Sequence, residues 1–402
     1  MNWKHRFCAV AACALVASPA YAQISDGVIK IGVLNDQSGT YADLAGPGSV
    51  VAARMAIEDF GAAKKGMKVE VVVADHQNKP EVGSNIARQW YDVDKVDVIV
   101  DVPTSSVALA VNQVTREKNK VLIVSTGATV DLTGKACTPN TLHWTYDTWS
   151  LANGTGNAVV KSGGDTWFFL TADYAFGHSL EQQTEAVVLK NGGKVNGKVR
   201  HPFPSSDMSS FLLQAQSSKA KIIGLANAGA DTINAIKQGA EFGIVKGGQQ
   251  FAGLLVFLTD VHSLGLNVAQ GLLLTESFYW DLNDQTRAFS KRFAQRHKGA
   301  MPTMGQVGVY SGVLHYLKAV EALKSDQGDK VVAKMKELPT EDAVFGKGRV
   351  RQDGRKLHNM YLFEVKKPSE SKGAWDYYKL RGTIPAEQAS RPEKEGGCAL
   401  VK

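Results

Sequence analysis

The chain has 402 residues, 44% hydrophobic and 21% charged, which is enough for two globular domains. Its formal net charge of +7 is spread out, with Asp and Glu interleaved, so Lys64-Lys65, Lys366-Lys367 and Arg349-Val350-Arg351 read as solvated faces. No basic run alternates with aromatic residues as single-strand recognition requires, which argues against a nucleic-acid partner.

The first 22 residues, MNWKHRFCAVAACALVASPAYA, read as a secretory leader. Lys4 and Arg6 precede an apolar stretch, Ser18-Pro19 breaks it, and Ala20-Tyr21-Ala22 places small residues at the cleavage site. The mature chain is expected to start at Gln23, with a charge of +5 once Lys4 and Arg6 have left. No later stretch has the roughly 18 uninterrupted apolar residues of a membrane span. The expectation is an exported, soluble protein, periplasmic in a Gram-negative cell. Cys8 and Cys13 leave with the leader. Cys137 and Cys398 remain as an even pair in an oxidising compartment, and a disulfide between them is expected.

The mature chain repeats a short β-branched run, a turn and an amphipathic helix. Strands are expected at 28–34 (VIKIGVL), 68–74 (KVEVVVA), 96–101 (VDVIVD) and 121–125 (VLIVS), with helices at 48–60, 80–90 and 105–119 between them. Pro80 suits a helix start, where its missing N–H costs nothing. The cycle restarts with helix 148–161. Strands follow at 166–170 (TWFFL), 194–199, 221–225 (KIIGL) and 250–256, with helices at 175–189, 208–217 and 231–242. Helices at 285–296, 308–323 and 329–338 and strands around 348–350 and 359–365 complete the pattern, before a polar end after Pro385. Apolar strands alternating with helices argue for parallel sheets in α/β layers, and two cycles argue for two similar lobes.

Enzyme signatures are missing. There is no phosphate loop, no nucleophile elbow and no H-E-x-x-H or C-x-x-C pair, and Val51 stands where a dinucleotide fingerprint after Gly46-Pro47-Gly48 needs glycine. The expectation is a binding protein with no cofactor and no metal. Hydroxyl-rich turns end two successive strands, at Pro103-Thr104-Ser105-Ser106 and Ser125-Thr126-Gly127-Ala128-Thr129. Open α/β sheets bind ligands at the carboxyl ends of their strands, and helix starts offer free N–H groups to an anion such as a carboxylate. Ordinary N-capping by Ser and Thr is the alternative. Trp144, Tyr146, Tyr174 and Phe278-Tyr279-Trp280 lie where the chain would pass between lobes, placed to wrap an apolar ligand body or to pack in the core.

These segments, in their order and spacing, resemble the periplasmic branched-chain amino-acid-binding (leucine/isoleucine/valine-binding) proteins of ABC importers. IKIGVLNDQSGTYADLAGPG is similar to the family's opening strand and turn. VDVIVDVPTSSVA and VLIVSTGAT are similar to its two ligand-binding turns, DYAFGHSLEQ to its second-lobe helix start, and DMSSFLLQAQSSKAKIIGL to its Asp-Phe-Ser motif. The resemblance runs from about Val28 to Phe363. It implies a type I periplasmic binding protein fold, α/β, with two Rossmann-like lobes joined by three crossovers and closing like a flytrap. The implied organisation is a leader at 1–22, a first lobe of 27–145 plus 279–353, and a second of 146–278 plus 354–392.

By the resemblance, Thr104, Ser105, Gly127, Ala128 and Thr129 fall in the ligand-binding turns, and Tyr174 matches a tyrosine that covers the ligand. Tyr146 and Phe278 complete the expected site. Two positions depart from the family's amino-acid binders: Asn227-Ala228-Gly229 replaces a tyrosine, and Leu255 stands where a glutamate holds the ligand's ammonium group. A buried ammonium without an anion is costly. The expected ligand is therefore a small organic acid without an α-amino group, aromatic or branched. The expected partner is an inner-membrane ABC permease, and the chain is expected to act as a monomer. Branched-chain amino-acid or amide binding, and an exported sensor docking on a membrane receptor, remain alternatives.

Overall fold

The computed structural model describes residues 24–402; the leader, with Cys8, Cys13 and the expected start at Gln23, lies outside the described residues. Five strands form the first sheet: β1 (Ile29–Asn35), β2 (Val69–Asp75), β3 (Val98–Asp101), β4 (Val121–Val124) and β5 (Thr141–His143). All pair in parallel, in the order β2-β1-β3-β4-β5. Four more form the second: β6 (Thr166–Ala172), β7 (Lys194–His201), β8 (Ile222–Ala226) and β9 (Gln250–Gly253), parallel in the order β7-β6-β8-β9. Central strands such as β3, β4 and β8 are buried along their whole length, which is why they read as continuous apolar runs. Strand β7 lies at a sheet edge and alternates exposed and half-buried residues up to the buried His201.

A third, antiparallel sheet joins Leu273–Glu276, Met360–Val365 and Tyr378–Ile384, and its Leu274, Phe363 and Tyr378 pack with Phe168 and Leu170 of the second lobe. The helices Asp284–Arg296 and Met304–Leu323 return to the first lobe. Arg292 pairs with Asp59 at 2.5 Å, the Tyr310 hydroxyl donates to Asp59 at 2.9 Å, and the Thr303 hydroxyl donates to the Leu44 carbonyl at 2.6 Å. The chain thus passes between lobes near 144–148, 277–283 and 358–359. The first and third passages touch. His143 and Arg355 form a β-bridge, and Arg355 lies 3.2 Å from Asp147 in a fully buried ion pair.

Three local expectations differ. The helix expected over 148–161 is broken into Thr148–Leu151, a wider turn over Ala152–Gly156, and Asn157–Lys161. Gly154 is pressed against Thr275, where a Cβ would sit 2.2 Å from the hydroxyl oxygen, and tertiary packing overrides helix spacing there. The strand expected over 250–256 stops at Gly253, and a helix, Leu258–Leu264, follows at once; its first turn is capped by Asp260, which accepts the Phe257 N–H at 2.8 Å. Strands β5 and Leu273–Glu276 are too short for their apolar pattern to register in sequence. The expected disulfide is present: Cys137 and Cys398 are bonded, with Cα atoms 5.6 Å apart, and they hold the polar end in place.

Candidate ligand-binding cleft

The carboxyl ends of β3 and β4 face those of β6 and β8 across the interlobe cleft, the edge at which open parallel sheets expose helix starts and turns. A small chamber lies there, lined by ten residues and with free space of about 10 Å³. The first lobe and first passage supply Tyr41, Leu44, Pro103, Thr126 and Tyr146; the second lobe supplies Tyr174, Phe176, Ala228, Leu255 and Phe257.

Local structure places these groups. The turn after β1 is drawn together by Asp36, which accepts the N–H groups of Gly39 (2.6 Å) and Tyr41 (2.8 Å) and the Asn78 side-chain amide (2.6 Å). Tyr41 is thereby aimed across the cleft, and its hydroxyl meets that of Tyr174 at 2.5 Å. Phe203 stacks on both rings, at 5.3 Å from Tyr41 and 4.4 Å from Tyr174. A backbone bond from the Ala230 N–H to the Thr40 carbonyl, 3.3 Å, closes the same seam.

Beneath the first-lobe wall lies Asp101. It accepts Asn35 Nδ2 at 2.8 Å, the Ser125 hydroxyl at 2.9 Å and the Thr126 hydroxyl. Asp101 and Val102 both take positive φ, 84° and 51°, which turns the chain sharply at the end of β3. Burial pushes the Asp101 carboxyl up, against the hydrogen bonds that hold it down.

The expected first-lobe residues gather at this edge, but their polar groups are engaged. The Thr104 hydroxyl donates to Asn78 Oδ1. Ser105 Oγ accepts the N–H groups of Ala128 and Thr129, both at 3.2 Å, and so ties the two turns together. Gly127 packs where a Cβ would lie 2.7 Å from the Val102 carbonyl, and its own carbonyl contacts His143 Nε2 at 2.6 Å. Thr129 caps a short turn by accepting the Asp131 N–H at 3.3 Å. The chamber wall is formed by their neighbours Pro103 and Thr126.

In the second lobe, Tyr174 and Leu255 line the chamber, as Tyr146 does from the passage. Asn227 is turned into a buried network, donating to His201 Nε2 at 3.1 Å and accepting the Thr232 hydroxyl at 2.7 Å; its neighbour Ala228 faces the chamber. Phe278 is buried in the core outside the wall. Sequence reasoning placed Pro103 and Thr126 within the two binding turns but did not single out Tyr41, Leu44, Phe176 or Phe257. Tyr41 stood within the opening-turn segment, whereas nothing local marks Phe257.

No charged side chain reaches the wall. Acidic groups lie behind it. Burial pushes the carboxyls of Asp231 and Asp260 up to about 7, and that of Glu276 well above its usual range. Glu276 accepts the Tyr378 hydroxyl at 2.7 Å. Burial also raises the phenols of Tyr41, Tyr146 and Tyr174, so each keeps its proton at neutral pH. Tyr146 donates to the Thr126 carbonyl at 2.7 Å, and Tyr41 and Tyr174 share one hydrogen bond, which leaves one phenolic proton of that pair free. A ligand here meets aromatic faces, hydroxyls and backbone. Among the described residues no group of three or more His, Cys, Asp or Glu could hold a metal ion, and no helix is long and apolar enough to cross a membrane.

Comparison with known proteins agrees over nearly the whole chain. A family model described as periplasmic binding protein matches residues 28–374. Leu/Ile/Val-binding protein homolog 6 of Brucella melitensis is 26% identical over 405 residues, 98% of this chain and 97% of that protein. A periplasmic binding protein from Burkholderia mallei is 52% identical with a TM-score of 0.91, covering 94% of this chain and all of that one. A branched chain amino acid ABC transporter periplasmic ligand-binding protein from Burkholderia xenovorans LB400 is 42% identical with a TM-score of 0.82, covering 93% of this chain and all of that one. A solute-binding protein of an R. palustris ABC transporter, solved in complex with benzoate, shares the fold at 22% identity and a TM-score of 0.80, covering 93% of this chain and all of that one.

Proposed function

The chain belongs to the periplasmic binding protein family, and from that premise we propose that it captures a small aromatic acid between its lobes and presents it to an ABC permease. The observation that carries this reading is the chamber itself: five of its ten lining residues are aromatic and none is charged. Planar rings pack well against Tyr41, Tyr146, Tyr174, Phe176 and Phe257. A carboxylate is served by the free phenolic proton and by the helix start at Ser105, whose dipole end favours an anion.

The wall offers no carboxylate to an ammonium group, since Leu255 and Ala228 stand at the second-lobe positions where an acidic or phenolic partner was expected. The R. palustris benzoate complex on the same fold supports the aromatic reading by analogy. In this reading the protein is a monomer of the periplasm and performs no chemistry; closure is the signal that the permease recognises.

Calorimetry decides the ligand class. Benzoate and 4-hydroxybenzoate are expected to bind, and leucine and valine to bind far more weakly than their deaminated keto acids. Tight leucine binding with no response to any aromatic acid overturns the reading. In Leu255→Glu, aromatic acids are expected to bind more weakly, because the new carboxylate repels theirs.

A further inference from the structure

Strand Tyr378–Ile384 belongs to the sheet that packs on the second lobe, yet Cys398 is covalently bound to Cys137, in the first-lobe loop between β4 and β5. The intervening residues do not hang loose. The Ala386 N–H donates to Asn359 Oδ1 at 3.1 Å, beside the third passage. Glu387 pairs with Arg349 at 2.9 Å. The Arg391 carbonyl accepts from Arg351 at 2.7 Å, while the Arg391 guanidinium donates to the Val130 carbonyl at 3.1 Å. Ala389, Ser390 and Cys398 are buried. The end of the chain therefore crosses back to the first lobe alongside the hinge. Its partners Arg351 and Asp353 adjoin Arg355, which is paired with Asp147 of the first passage.

We propose that residues 385–402, locked by the Cys137–Cys398 disulfide, form a fourth interlobe connection that limits how far the lobes open. The proposal rests on the reading that the lobes close on a ligand. Opening moves the strand ending at Ile384 away from the loop that holds Cys137. The strap must then either shed its packed contacts or stop the motion, and the covalent anchor prevents it from peeling off its far end. A narrower open ensemble has less conformational entropy to lose on closure, so the strap favours the closed, ligand-holding state.

The test compares wild type with two variants in small-angle scattering. Cys137→Ser/Cys398→Ser removes the anchor; a short Gly-Ser insertion between Arg391 and Pro392 keeps the disulfide but lengthens the strap. Without ligand, both variants are expected to show a larger radius of gyration than wild type. With benzoate as probe, both are expected to reach the wild-type compact form with a Kd roughly two- to tenfold higher, in proportion to the reduced closed fraction. Ligand-free scattering identical to wild type in both variants overturns the proposal. So does a change confined to the cysteine variant and accompanied by loss of cooperative melting, which would mark general destabilisation. Failure of benzoate to bind counts against the aromatic-acid reading alone, because the ligand-free measurement still decides the strap.

Discussion

Tyr146 illustrates how one side chain serves both stability and site. Its hydroxyl donates to the Thr126 carbonyl at 2.7 Å, and its ring meets Phe257 edge-on at 6.0 Å. Tyr146→Phe keeps the ring but leaves a buried carbonyl unpaired. We expect a stability loss of about 1–3 kcal/mol in urea titrations, with aromatic acids still bound; unchanged stability would show that the carbonyl finds another donor. Asp260 gives a test in pH. Burial raises its carboxyl to about 7, against 3.8 ordinarily. Between those values the folded protein keeps a proton that the unfolded chain has released, so its contribution to stability falls as pH rises through this window and is lost above about 7. Asn at this position does not titrate. Relative to wild type, Asp260→Asn is therefore expected to gain stability progressively between about pH 4 and about pH 7, and parallel pH profiles would refute the assignment.

Among the elements, the start of helix Ala230–Glu241 bears most directly on closure. Gly229, at φ +58°, lets this helix start meet the first lobe: a Cβ there would lie 2.5 Å from the Thr40 carbonyl and 3.0 Å from the Tyr41 ring. Gly229→Ala is expected to hold the lobes apart at the seam where Tyr41 meets Tyr174. Ligand affinity should fall roughly tenfold, about 1.4 kcal/mol, and ligand-bound scattering should stay more open than wild type. A variant that compacts and binds like wild type would show that the seam yields. The element pattern also shows where sequence reading reaches its limit. Strands β3, β4 and β8 were legible because both faces are buried and the run is apolar throughout. The break after Leu151 was not, because Thr275, distant in sequence, reshapes that turn through Gly154.

For the whole molecule, the hinge is the place where lobes, passages and tail meet. Asp147 and Arg355 are buried together; burial pushes the Asp147 carboxyl up, but the Arg355 guanidinium, with His143, the Ser150 N–H and Arg391, together outweigh it and hold the group below the usual range. Arg355 also donates to the carbonyls of His143 (3.2 Å) and Thr145 (3.4 Å), clasping the first passage. Arg355→Met leaves a buried carboxylate without its partner, and a loss of about 3–5 kcal/mol is expected by chemical denaturation, partly restored by adding Asp147→Asn. A loss under about 1 kcal/mol would place the pair among those that solvent already screens.

The sequence by itself determined the two-cycle α/β architecture and the pairing of Cys137 with Cys398. The first follows from local periodicity, the second from there being only one partner for each cysteine among the described residues. It also located the two turns at the ends of β3 and β4, since Pro103 to Ser106 and Ser125 to Thr129 carry their own turn chemistry. Tertiary structure alone decided which atoms face the chamber. Thr104 and Ser105 have the right residue types, but their hydroxyls are claimed by Asn78 and by the Ala128 and Thr129 N–H groups. Tyr41 and Tyr174, separated by 133 positions, share a hydrogen bond only because two sheets present their carboxyl edges to each other. A cleft between lobes is made of turns that carry no periodicity, so its wall emerges when the lobes meet.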